Sequence, residues 1–413
     1  MLCQFSFKNF KSYQKTAVLD MQAANIEEFS DSLIPAPGEN FTELLPVSVI
    51  YGPNGGGKSN IIHAFAYFIG RIMRPIRNST GISTHFTSFL TEYRPFLFDN
   101  HSKTEPTEFE VFFRTEGRQY QYQLSILGDT VTSESLYYIR TPCMRKRPTR
   151  LFERTNNTII TGTALNKANS QKINDNIPYI SFLAINYSFP EIQDAVDWFN
   201  SCCVINYSLA GMDQRISSFL NDPTIKPLVL TFLKNMDIPI SNYDIIEEEL
   251  ESQEKKTRIV TNHNVNGNSY TLDLKDESQG SIKILSAIPA VIMSLISGSP
   301  LIVDELDAKL HPQLVKYLIS LYTLPENNPK HAQLIFNCHD TNILKNYILR
   351  RDEIWFAARN SEGASELWSL YDMCDEKGDR IKNTAAYDKQ YLAGRYGADP
   401  FLNEIVDWGE IHG

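Results

Sequence analysis

Two neighbouring stretches of the chain place an apolar side chain at every second position. They are residues 109–113 and 120–124, and the turn-forming pair Glu116-Gly117 lies between them. An alternation with period two predicts strands with one buried face, and a short connection that contains glycine predicts a hairpin. Shorter strand-like segments follow at 136–139 and 158–160. We therefore predict an antiparallel, β-rich unit in this part of the chain.

The rest of the chain has the patterns of a mixed fold. An alternating segment at 2–7 predicts an edge strand, and residues 26–46, rich in Pro, Glu and Asn, predict a loop. Residues 188–256 predict mainly helices. The other predicted elements are a strand at 46–51, a helix at 61–72, strands at 258–260 and 270–272, a helix at 281–297, and buried strands at 301–303 and 334–336. Apolar strands that alternate with helices are typical of the α/β class.

The strand at 46–51 runs directly into the sequence GPNGGGKS, which has the spacing G-x-x-x-x-G-K-[ST]. Backbone N–H groups of such a loop wrap a phosphate, and the following helix directs its positive end at the same anion. We expect Lys58 to reach the β- and γ-phosphates of ATP and the Ser59 hydroxyl to bind Mg²⁺. The alternative is a glycine-rich turn with an accidental lysine. The predicted ATP-binding residues are Gly52, Pro53, Asn54, Gly55, Gly56, Gly57, Lys58, Ser59 and Asn60.

Two acids, Asp304 and Glu305, stand at the end of the buried strand at 301–303. A carboxylate in this place, behind a phosphate-binding loop, is expected to join Ser59 as a ligand of Mg²⁺, which is the role we predict for Asp304. The adjacent Glu305 can polarise the attacking water as general base. The alternative is an ordinary strand end that carries two acids.

Two further segments carry candidate phosphate contacts. His339 follows the predicted strand at 334–336, where it can hydrogen-bond the γ-phosphate and orient the water. The alternative is a structural histidine. Ser278 and Gly280 precede the predicted helix at 281–297 and offer a hydroxyl and an N–H group to an anion. An ordinary helix N-cap is the alternative there, and it is the simpler interpretation from the sequence alone.

Composition limits the classes of protein to which the chain can belong. It has 413 residues, 42% of them hydrophobic, and a formal net charge of −10. The charge argues against a protein whose whole surface coats nucleic acid. The six cysteines have no zinc-type spacing and are expected to be free thiols in a reducing cytosol. We find no signal peptide and no uninterrupted run of 18 apolar residues, and therefore expect a cytoplasmic protein without a membrane contact.

Together the motifs resemble the ABC-type heads of RecF and SMC proteins. The resemblance is carried by GPNGGGKS, ESQGS, LIVDELDAKLHP and LIFNCHD, and by the opening FKNFKSY, which is similar to the NFRS element of such heads with Lys11 in place of arginine. It implies that ATP is held between two copies of the chain. Ser278 and Gly280 would then contact the γ-phosphate bound by the other copy, and Asp307 would lie on the dimer-facing loop. The signature lacks the second glycine and the glutamine of LSGGQ, and no glutamine loop follows the first helix.

A closer resemblance covers nearly the whole chain. The strings DELDAKLHPQL, AQLIFNCHDTNIL, LRRDEIWF and YLAGRYGADP, with PTEFEVFF and LFER in the β-rich part, resemble the RloA-like AAA-type ATPases of bacteria. That family includes abortive-infection proteins and the ATPase subunits of the Septu and PARIS phage-defence systems. The resemblance implies an ATPase whose assembly controls a nuclease or toxin partner. A RecF-like DNA-repair clamp and a nucleotide-gated scaffold with little turnover are the alternatives.

We predict a single ABC-type P-loop head over residues 1–413, in four parts. They are an N-terminal lobe with the phosphate-binding loop (1–90), an inserted antiparallel β subdomain (91–187), a helical segment (188–275), and a C-terminal part with the signature, the two acids and the histidine (276–413). No sustained heptad lies between Ser59 and Ser278, which excludes an SMC-type coiled-coil arm. The residues after His339 are too few for a TOPRIM nuclease domain, so we expect any nuclease to be a separate chain.

One basic run is the candidate DNA contact. It consists of Arg140, Arg145, Lys146, Arg147, Arg150 and Arg154. Phosphate binding by such a run would depend strongly on salt. The alternative is a solvated face of β-hairpins, which is a common place for charged residues. The sequence leaves both interpretations open.

Overall fold

The computed structural model describes residues 1–80, 92–142, 147–168, 173–207, 214–249, 255–308, 310–375 and 377–398. Its strands are β1 (Leu2–Lys8), β2 (Ala17–Asp20), β3 (Val47–Tyr51), β4 (Thr107–Thr115), β5 (Arg118–Leu127), β6 (Thr130–Arg140), β7 (Thr149–Thr155), β8 (Thr158–Thr161), β9 (Cys203–Asn206), β10 (Asn242–Glu249), β11 (Lys255–Val265), β12 (Asn268–Asp273), β13 (Pro300–Asp304), β14 (Gln333–Asn337), β15 (Ile354–Arg359) and β16 (Ser365–Ser369). Its helices are α1 (Lys58–Thr80), α2 (Tyr179–Asn186), α3 (Pro190–Ser201), α4 (Gln214–Leu220), α5 (Lys226–Asn235), α6 (Gln279–Ser297), α7 (Pro312–Thr323) and α8 (Tyr387–Leu392).

Six strands form a central sheet in the order β16-β15-β3-β14-β13-β9. All neighbours are parallel except β15 and β16, which form an antiparallel hairpin. Strands β3, β9, β13 and β14 are buried over their whole length, as expected for parallel strands covered on both faces. Because the carboxyl ends of the five parallel strands meet at one edge, the polar residues that end them converge there.

Helix α1 lies between the central sheet and a second sheet. Its apolar side chains belong to one buried cluster with those of β1 and β4 on one side and of β13 and β14 on the other. On the opposite face of the central sheet, alternate residues of the same strands pack with α5, α6 and α7 in another cluster. The elements are thus layered as antiparallel sheet, then α1 with α2 and α3, then central sheet, then α5 to α7. The predicted α/β class is confirmed.

The second sheet has seven antiparallel strands in the order β2-β1-β4-β5-β6-β7-β8. The predicted hairpin is confirmed, since β4 and β5 pair with Phe109 opposite Leu124 and Phe113 opposite Tyr120. The prediction that residues 2–7 form an edge strand is wrong, because β1 pairs with β2 on one side and with β4 on the other. The sheet therefore crosses the boundary placed at residue 90. The division of the chain into four parts stays a prediction.

The prediction of mainly helices at 188–256 is confirmed for α3, α4 and α5 but missed β9 and β10. The strands predicted at 258–260 and 270–272 are confirmed, since they lie in β11 and β12, and β10, β11 and β12 form a three-stranded antiparallel sheet in that order. The charged stretch at 247–256 lies partly in β10 and partly in β11, whose backbone register places residue 248 opposite 256 and residue 249 opposite 255.

Within the described residues, α6 is the single helix that is long and apolar enough, by length and composition alone, to cross a membrane. Its most apolar window is 67% buried inside the molecule. There it packs between the central sheet and α5. A helix that is hydrophobic nearly all round is buried in the core of a protein or in a membrane, and the burial of α6 corresponds to a core helix.

Candidate functional site

The glycine-rich loop connects β3 to α1 at the carboxyl edge of the central sheet. Lys58 is the first residue of α1 and only 5% exposed, and its Nζ donates to the carbonyl oxygens of Gly52 (2.7 Å) and Pro53 (3.0 Å). The ammonium group therefore lies within the loop. Burial lowers the pKa of Lys58 to about 8, and the nearby carboxylates of Asp307 and Asp304 oppose this shift.

The β15–β16 hairpin lies so close to the glycine-rich loop that two positions of the loop, Gly52 and Gly57, combine this contact with a backbone that favours glycine. Gly52 has a φ of 150°, and a Cβ there would lie 2.0 Å from the carbonyl oxygen of Ala357. Gly57 has a φ of 111°, and its Cβ would lie 2.4 Å from Oγ of Ser365. A side chain at either position would displace the hairpin and strain the backbone. The loop is therefore held against the hairpin, a contact that the sequence motif did not indicate.

The N-terminal element FKNFKSY also reaches the loop. Nδ2 of Asn60 donates to Oγ of Ser12 (2.7 Å), and Oγ of Ser365 donates to the same atom (2.8 Å). The hydroxyl of Tyr13 donates to the carbonyl oxygen of Gly57 (3.4 Å). Asn60, predicted to bind ATP, thus uses its side-chain amide to join α1 to the N-terminal element. Its role towards ATP stays a prediction.

Asp304 ends β13, and its carboxylate is surrounded by hydrogen-bond donors. Oδ1 accepts from Nδ2 of Asn337 (2.5 Å), and Oδ2 accepts from Nδ2 of Asn206 (2.9 Å). Burial raises the pKa of Asp304, and the hydrogen bonds from Asn337, Ser59 and Asn206 oppose that rise. The two residues predicted to bind Mg²⁺, Asp304 and Ser59, therefore lie side by side.

Asn337, at the end of β14, connects three of the predicted residues. Its Nδ2 donates to Asp304 and to Oγ of Ser59 (3.4 Å), and its Oδ1 accepts from the backbone N–H of Glu305. The side chain is almost wholly buried. Neither Asn337 nor Asn206 was predicted as a site residue from the sequence. A usable signal existed, because each is a polar residue at the end of an apolar strand, as Asp304 is.

Glu305 follows β13 with a φ of 58°, in the left-handed region. Such a backbone costs on the order of 1–3 kcal/mol for a residue with a side chain, and the hydrogen bond from its N–H to Asn337 stabilises it. Burial lowers the pKa values of Lys58 and His339, and the negative charge of Glu305 opposes this lowering in both. Its carboxylate therefore lies at the same edge of the sheet as the phosphate-binding loop.

His339 and Asp307 are joined through the backbone. Oδ2 of Asp307 accepts from the N–H groups of His339 (2.8 Å) and Asp340 (3.0 Å). Partial burial lowers the pKa of His339, and the positive charge of Lys58 lowers it further. The influence of Lys58 shows that the imidazole lies near the loop. Asp307, expected on a dimer-facing loop, holds the turn that carries His339.

Ser278 is the N-cap of α6. Its Oγ accepts from the N–H of Ser281 (3.1 Å), as in the simpler interpretation. Ser278 is also exposed, and Gly280 is half-buried. Two hydrogen bonds connect the start of α6 to the carboxyl edge of the sheet. Nζ of Lys283 donates to the carbonyl oxygen of Tyr207 (2.6 Å), and the N–H of Tyr207 donates to the carbonyl oxygen of Asp304 (2.8 Å). A cap at this edge remains available to an anion.

His63 and Lys11, which lie beside Asp304, were not identified as a pair from the sequence. His63 stands one turn after Ser59 on α1, with Nε2 3.7 Å from Oδ2 of Asp304 and Nδ1 2.5 Å from Nζ of Lys11. Burial first and Lys11 second lower the pKa of His63 to about 4. The imidazole is therefore neutral near pH 7. Its spacing of four residues from Ser59, which places both on one helix face, is the signal that could have found it.

The basic run does not form one exposed patch. Arg154 is 2% exposed, and its guanidinium donates to the backbone carbonyl oxygens of Asn156 and Ile177. Arg150 pairs with Glu153 at 3.0 Å. The other members are Arg140 and Arg147, both exposed, and Arg145 and Lys146, which lie outside the described residues. The prediction is wrong for Arg154, because its guanidinium stabilises the interior.

The oxygen atoms beside the loop fit Mg²⁺. Ser59 Oγ and the Asp304 carboxylate are hard oxygen ligands, and Mg²⁺ in nucleotide sites commonly takes one or two carboxylates together with phosphate oxygens and waters. Two protein ligands therefore suffice for an ion that ATP brings with it. No group of three or more His, Cys, Asp or Glu residues able to hold a metal ion is present in the described part of the chain.

Many solved structures are similar to the chain, including the following two. One is an SMC head domain from Thermotoga maritima, with 15% identity and a TM-score of 0.41, covering 89% of this chain and 98% of that chain. The other is cbiO1 from Clostridium perfringens, part of the ABC transporter complex cbiONQ, with 17% identity, a TM-score of 0.25 and coverage of 54% and 68%. Neither likeness is close enough to carry an argument. No curated protein matches.

One protein-family model matches the chain over the part that contains the site. It is described as "AAA domain, putative AbiEii toxin, Type IV TA system" and matches residues 47–345. The matched span contains the phosphate-binding loop, the signature segment, Asp304-Glu305 and His339, whereas β1, β2 and the β15–β16 hairpin lie outside it. Because well over half of the chain is matched, the protein belongs to this family of AAA-type ATPase domains.

Proposed function

We propose that the chain hydrolyses ATP with Mg²⁺, and that its nucleotide state controls a nuclease or toxin partner in a bacterial anti-phage system. The observation that supports hydrolysis is the cluster around Asn337. This one amide joins Ser59, Asp304 and Glu305 beside the phosphate-binding loop. The residues needed for the metal and for the attacking water are therefore already held together by one side chain.

The loop and its surroundings bind the triphosphate. N–H groups of the glycine-rich turn and the start of α1 point at the anion, and Lys58 neutralises the β- and γ-phosphates from within the loop. Ser59 and Asp304 would hold Mg²⁺, which withdraws charge from the same oxygens. Asn337 and Asn206 keep the Asp304 carboxylate oriented, so little rearrangement is needed when the nucleotide binds.

Glu305 accepts a proton from the water that attacks the γ-phosphorus. The bond from the γ-phosphorus to the β–γ bridging oxygen breaks, the charge that develops on ADP is met by Lys58, and inorganic phosphate leaves. His339 is placed to donate a hydrogen bond to a γ-phosphate oxygen. Its position near Lys58 supports this role.

Two substitutions test this function. Lys58→Ala removes the fixed charge at the phosphates and is expected to abolish ATP binding and turnover. Glu305→Gln keeps the shape of the side chain but not the proton acceptor, so ATP should stay bound while hydrolysis slows by about 10²–10⁴. Binding of a fluorescent ATP analogue and phosphate release are the measurements. Wild-type turnover in either variant would refute the role given to that residue.

The family description supports the link to phage defence, since abortive infection and toxin–antitoxin systems limit phage growth. The same two variants test it in cells that carry the gene with its natural neighbours. We expect the wild-type locus to reduce plaque formation, and Lys58→Ala to restore it. Equal protection by wild-type and Lys58→Ala loci would refute nucleotide control of defence.

Two copies are expected to form each catalytic site. The signature residue Ser278 is exposed at the start of α6, and its described hydrogen bonds are made within the same helix. The hydroxyl at the positive end of α6 is therefore presented to a second molecule. In a two-fold dimer each signature would cover the γ-phosphate held by the other copy.

A further inference from the structure

A second cation, Arg359, lies beside the phosphate-binding loop. It is the last residue of β15, and a Cβ built on Gly55 in the turn of the loop would lie 3.9 Å from its Nη2. The strand register explains this position. Phe356 pairs with Tyr51, the last residue of β3, so the final residues of β15 run alongside the loop on that side, while they still pair with β16 on the other side.

The place of Arg359 is fixed by the contacts of its hairpin. The carbonyl oxygen of Ala357 lies against Gly52 and Gly56, where a Cβ would approach it to 2.0 and 2.5 Å. Ser365 faces Arg359 across the hairpin and lies against Gly57. Residues on both strands of the hairpin therefore touch the loop, and the guanidinium is carried by a rigid element.

Among the described residues, no acid neutralises Arg359. Its side chain is exposed and forms no ion pair with them. Glu366 of the same hairpin accepts a hydrogen bond from Asn360 (2.9 Å) instead. An unpaired guanidinium next to backbone N–H groups raises the positive potential where phosphates would bind.

We propose that Arg359 is a phosphate-binding residue of the nucleotide site, a role that rests on the ATP binding proposed above. A guanidinium can give two parallel N–H donors to phosphate oxygens. Lys58 lies within the loop and Arg359 beside its turn, so the two cations hold the phosphates from different sides. Arg359 lies outside the matched family span.

The experiment compares Arg359→Ala and Arg359→Lys with the wild-type protein. Binding of a fluorescent ATP analogue with Mg²⁺ is titrated, and thermal unfolding is followed with and without ATP. We expect Arg359→Ala to weaken binding by about 10-fold or more, the usual effect of losing hydrogen bonds to a charged group. Unfolding without ATP should be unchanged, since the side chain is exposed. Arg359→Lys should recover part of the affinity, because it restores the charge but not the paired donors.

Arg74→Ala is the matched control. Arg74 is an exposed arginine on α1, about 24 Å along the helix from Lys58, and its loss should leave ATP affinity unchanged. Wild-type affinity in Arg359→Ala would overturn the role of Arg359, and loss of binding in Lys58→Ala would then show that the proposed function stands. A lowered unfolding temperature of both Arg359 variants without ATP would also overturn the phosphate-binding role of Arg359, because it would show that the side chain stabilises the fold. A wild-type protein that binds no ATP would instead refute the proposed function.

Discussion

At the scale of single residues, the site is organised by amides. Asn337 and Asn206 both donate to the Asp304 carboxylate, whose pKa is nevertheless raised by burial. Without these donors the buried carboxylate would lose the interactions that favour its charged form. The amides therefore oppose the rise in the pKa of Asp304 and fix the orientation of its carboxylate. A carboxylate proposed to bind a cation benefits from both effects.

Removing one amide tests this organisation. Asn337→Ala should lower ATP turnover by about 10–100-fold, the usual effect of losing a group that orients a metal ligand. Asn328→Ala is the control, since Asn328 is an equally buried amide that donates to the carbonyl oxygens of Tyr322 and Ala332. Both variants should lose stability. If turnover per folded molecule falls no further in Asn337→Ala than in Asn328→Ala, the special role of Asn337 is wrong.

A second residue sets a dependence of stability on pH. Glu353 is 2% exposed, and burial raises its pKa to about 8 from an ordinary value of 4.5. Between these two values the folded chain keeps a proton that the unfolded chain loses. The contribution of protonated Glu353 to the free energy of unfolding is therefore fully present below pH 4.5. It declines as the pH rises towards 8 and changes no further above pH 8. Glu353→Gln removes this ionisation.

The midpoint of thermal unfolding of Glu353→Gln, relative to the wild-type protein, should accordingly rise between pH 5 and pH 8. The amide preserves the acceptor that Glu353 offers to the N–H of Arg350 (2.9 Å). Measurements at half-unit steps of pH give the profile. A difference between variant and wild type that stays constant across this range would contradict the assignment.

At the scale of elements, the β15–β16 hairpin and helix α6 shape the site. The β15–β16 hairpin touches three glycines of the loop. Helix α6 places its capped N-terminus at the same edge of the sheet. Both elements also contribute to the stability of the fold, so a substitution that tests function must preserve their structural contacts.

Ser278→Asp separates the cap of α6 from a phosphate contact. Aspartate caps a helix as well as serine does, so the unfolding temperature should stay close to that of the wild type. Its negative charge would repel the γ-phosphate of the other copy, and ATP turnover should fall by about 10-fold or more. Wild-type turnover in Ser278→Asp would show that Ser278 is an N-cap and nothing else.

At the scale of the whole molecule, the layers leave the site open at one edge. The antiparallel sheet, the helices around α1 and the central sheet are joined by two buried clusters. The phosphate-binding loop, Asp304, Glu305 and His339 all stand where the parallel strands end. A site at such an edge can be completed by a second copy.

Mixing two variants with little or no turnover tests for shared sites. Lys58→Ala lacks a working loop, and Ser278→Asp lacks a working signature. A mixed pair contains one intact site, so equal amounts with subunit exchange should recover about a quarter of the wild-type activity per chain if pairing is random. Phosphate release is measured after exchange has been verified. Continued inactivity of the mixture would refute composite sites.

Much of the fold follows from local pattern. The alternation at 109–113 and 120–124 identified the β4–β5 hairpin, because period-two alternation reports one buried face. The pattern failed for β1, whose second neighbour, β4, is distant in the chain, and for β10, which pairs with β11 although its composition is charged and helix-like. Strand neighbours are set by tertiary contacts, which a local pattern does not contain.

The phosphate-binding loop and the pair Asp304-Glu305 were determined by the sequence alone, because a phosphate is wrapped by consecutive backbone groups whose spacing is visible in the chain. Asn337, His63 and Arg359 were decided only by the tertiary structure. Each is a single residue in a separate segment. The helical spacing of His63 from Ser59 and the place of Asn337 at a strand end are local signals, which do not show that these residues meet at one site. Parallel pairing of β3 with β14 and β15 brings two of them to the loop, and α1 turns the third towards Asp304.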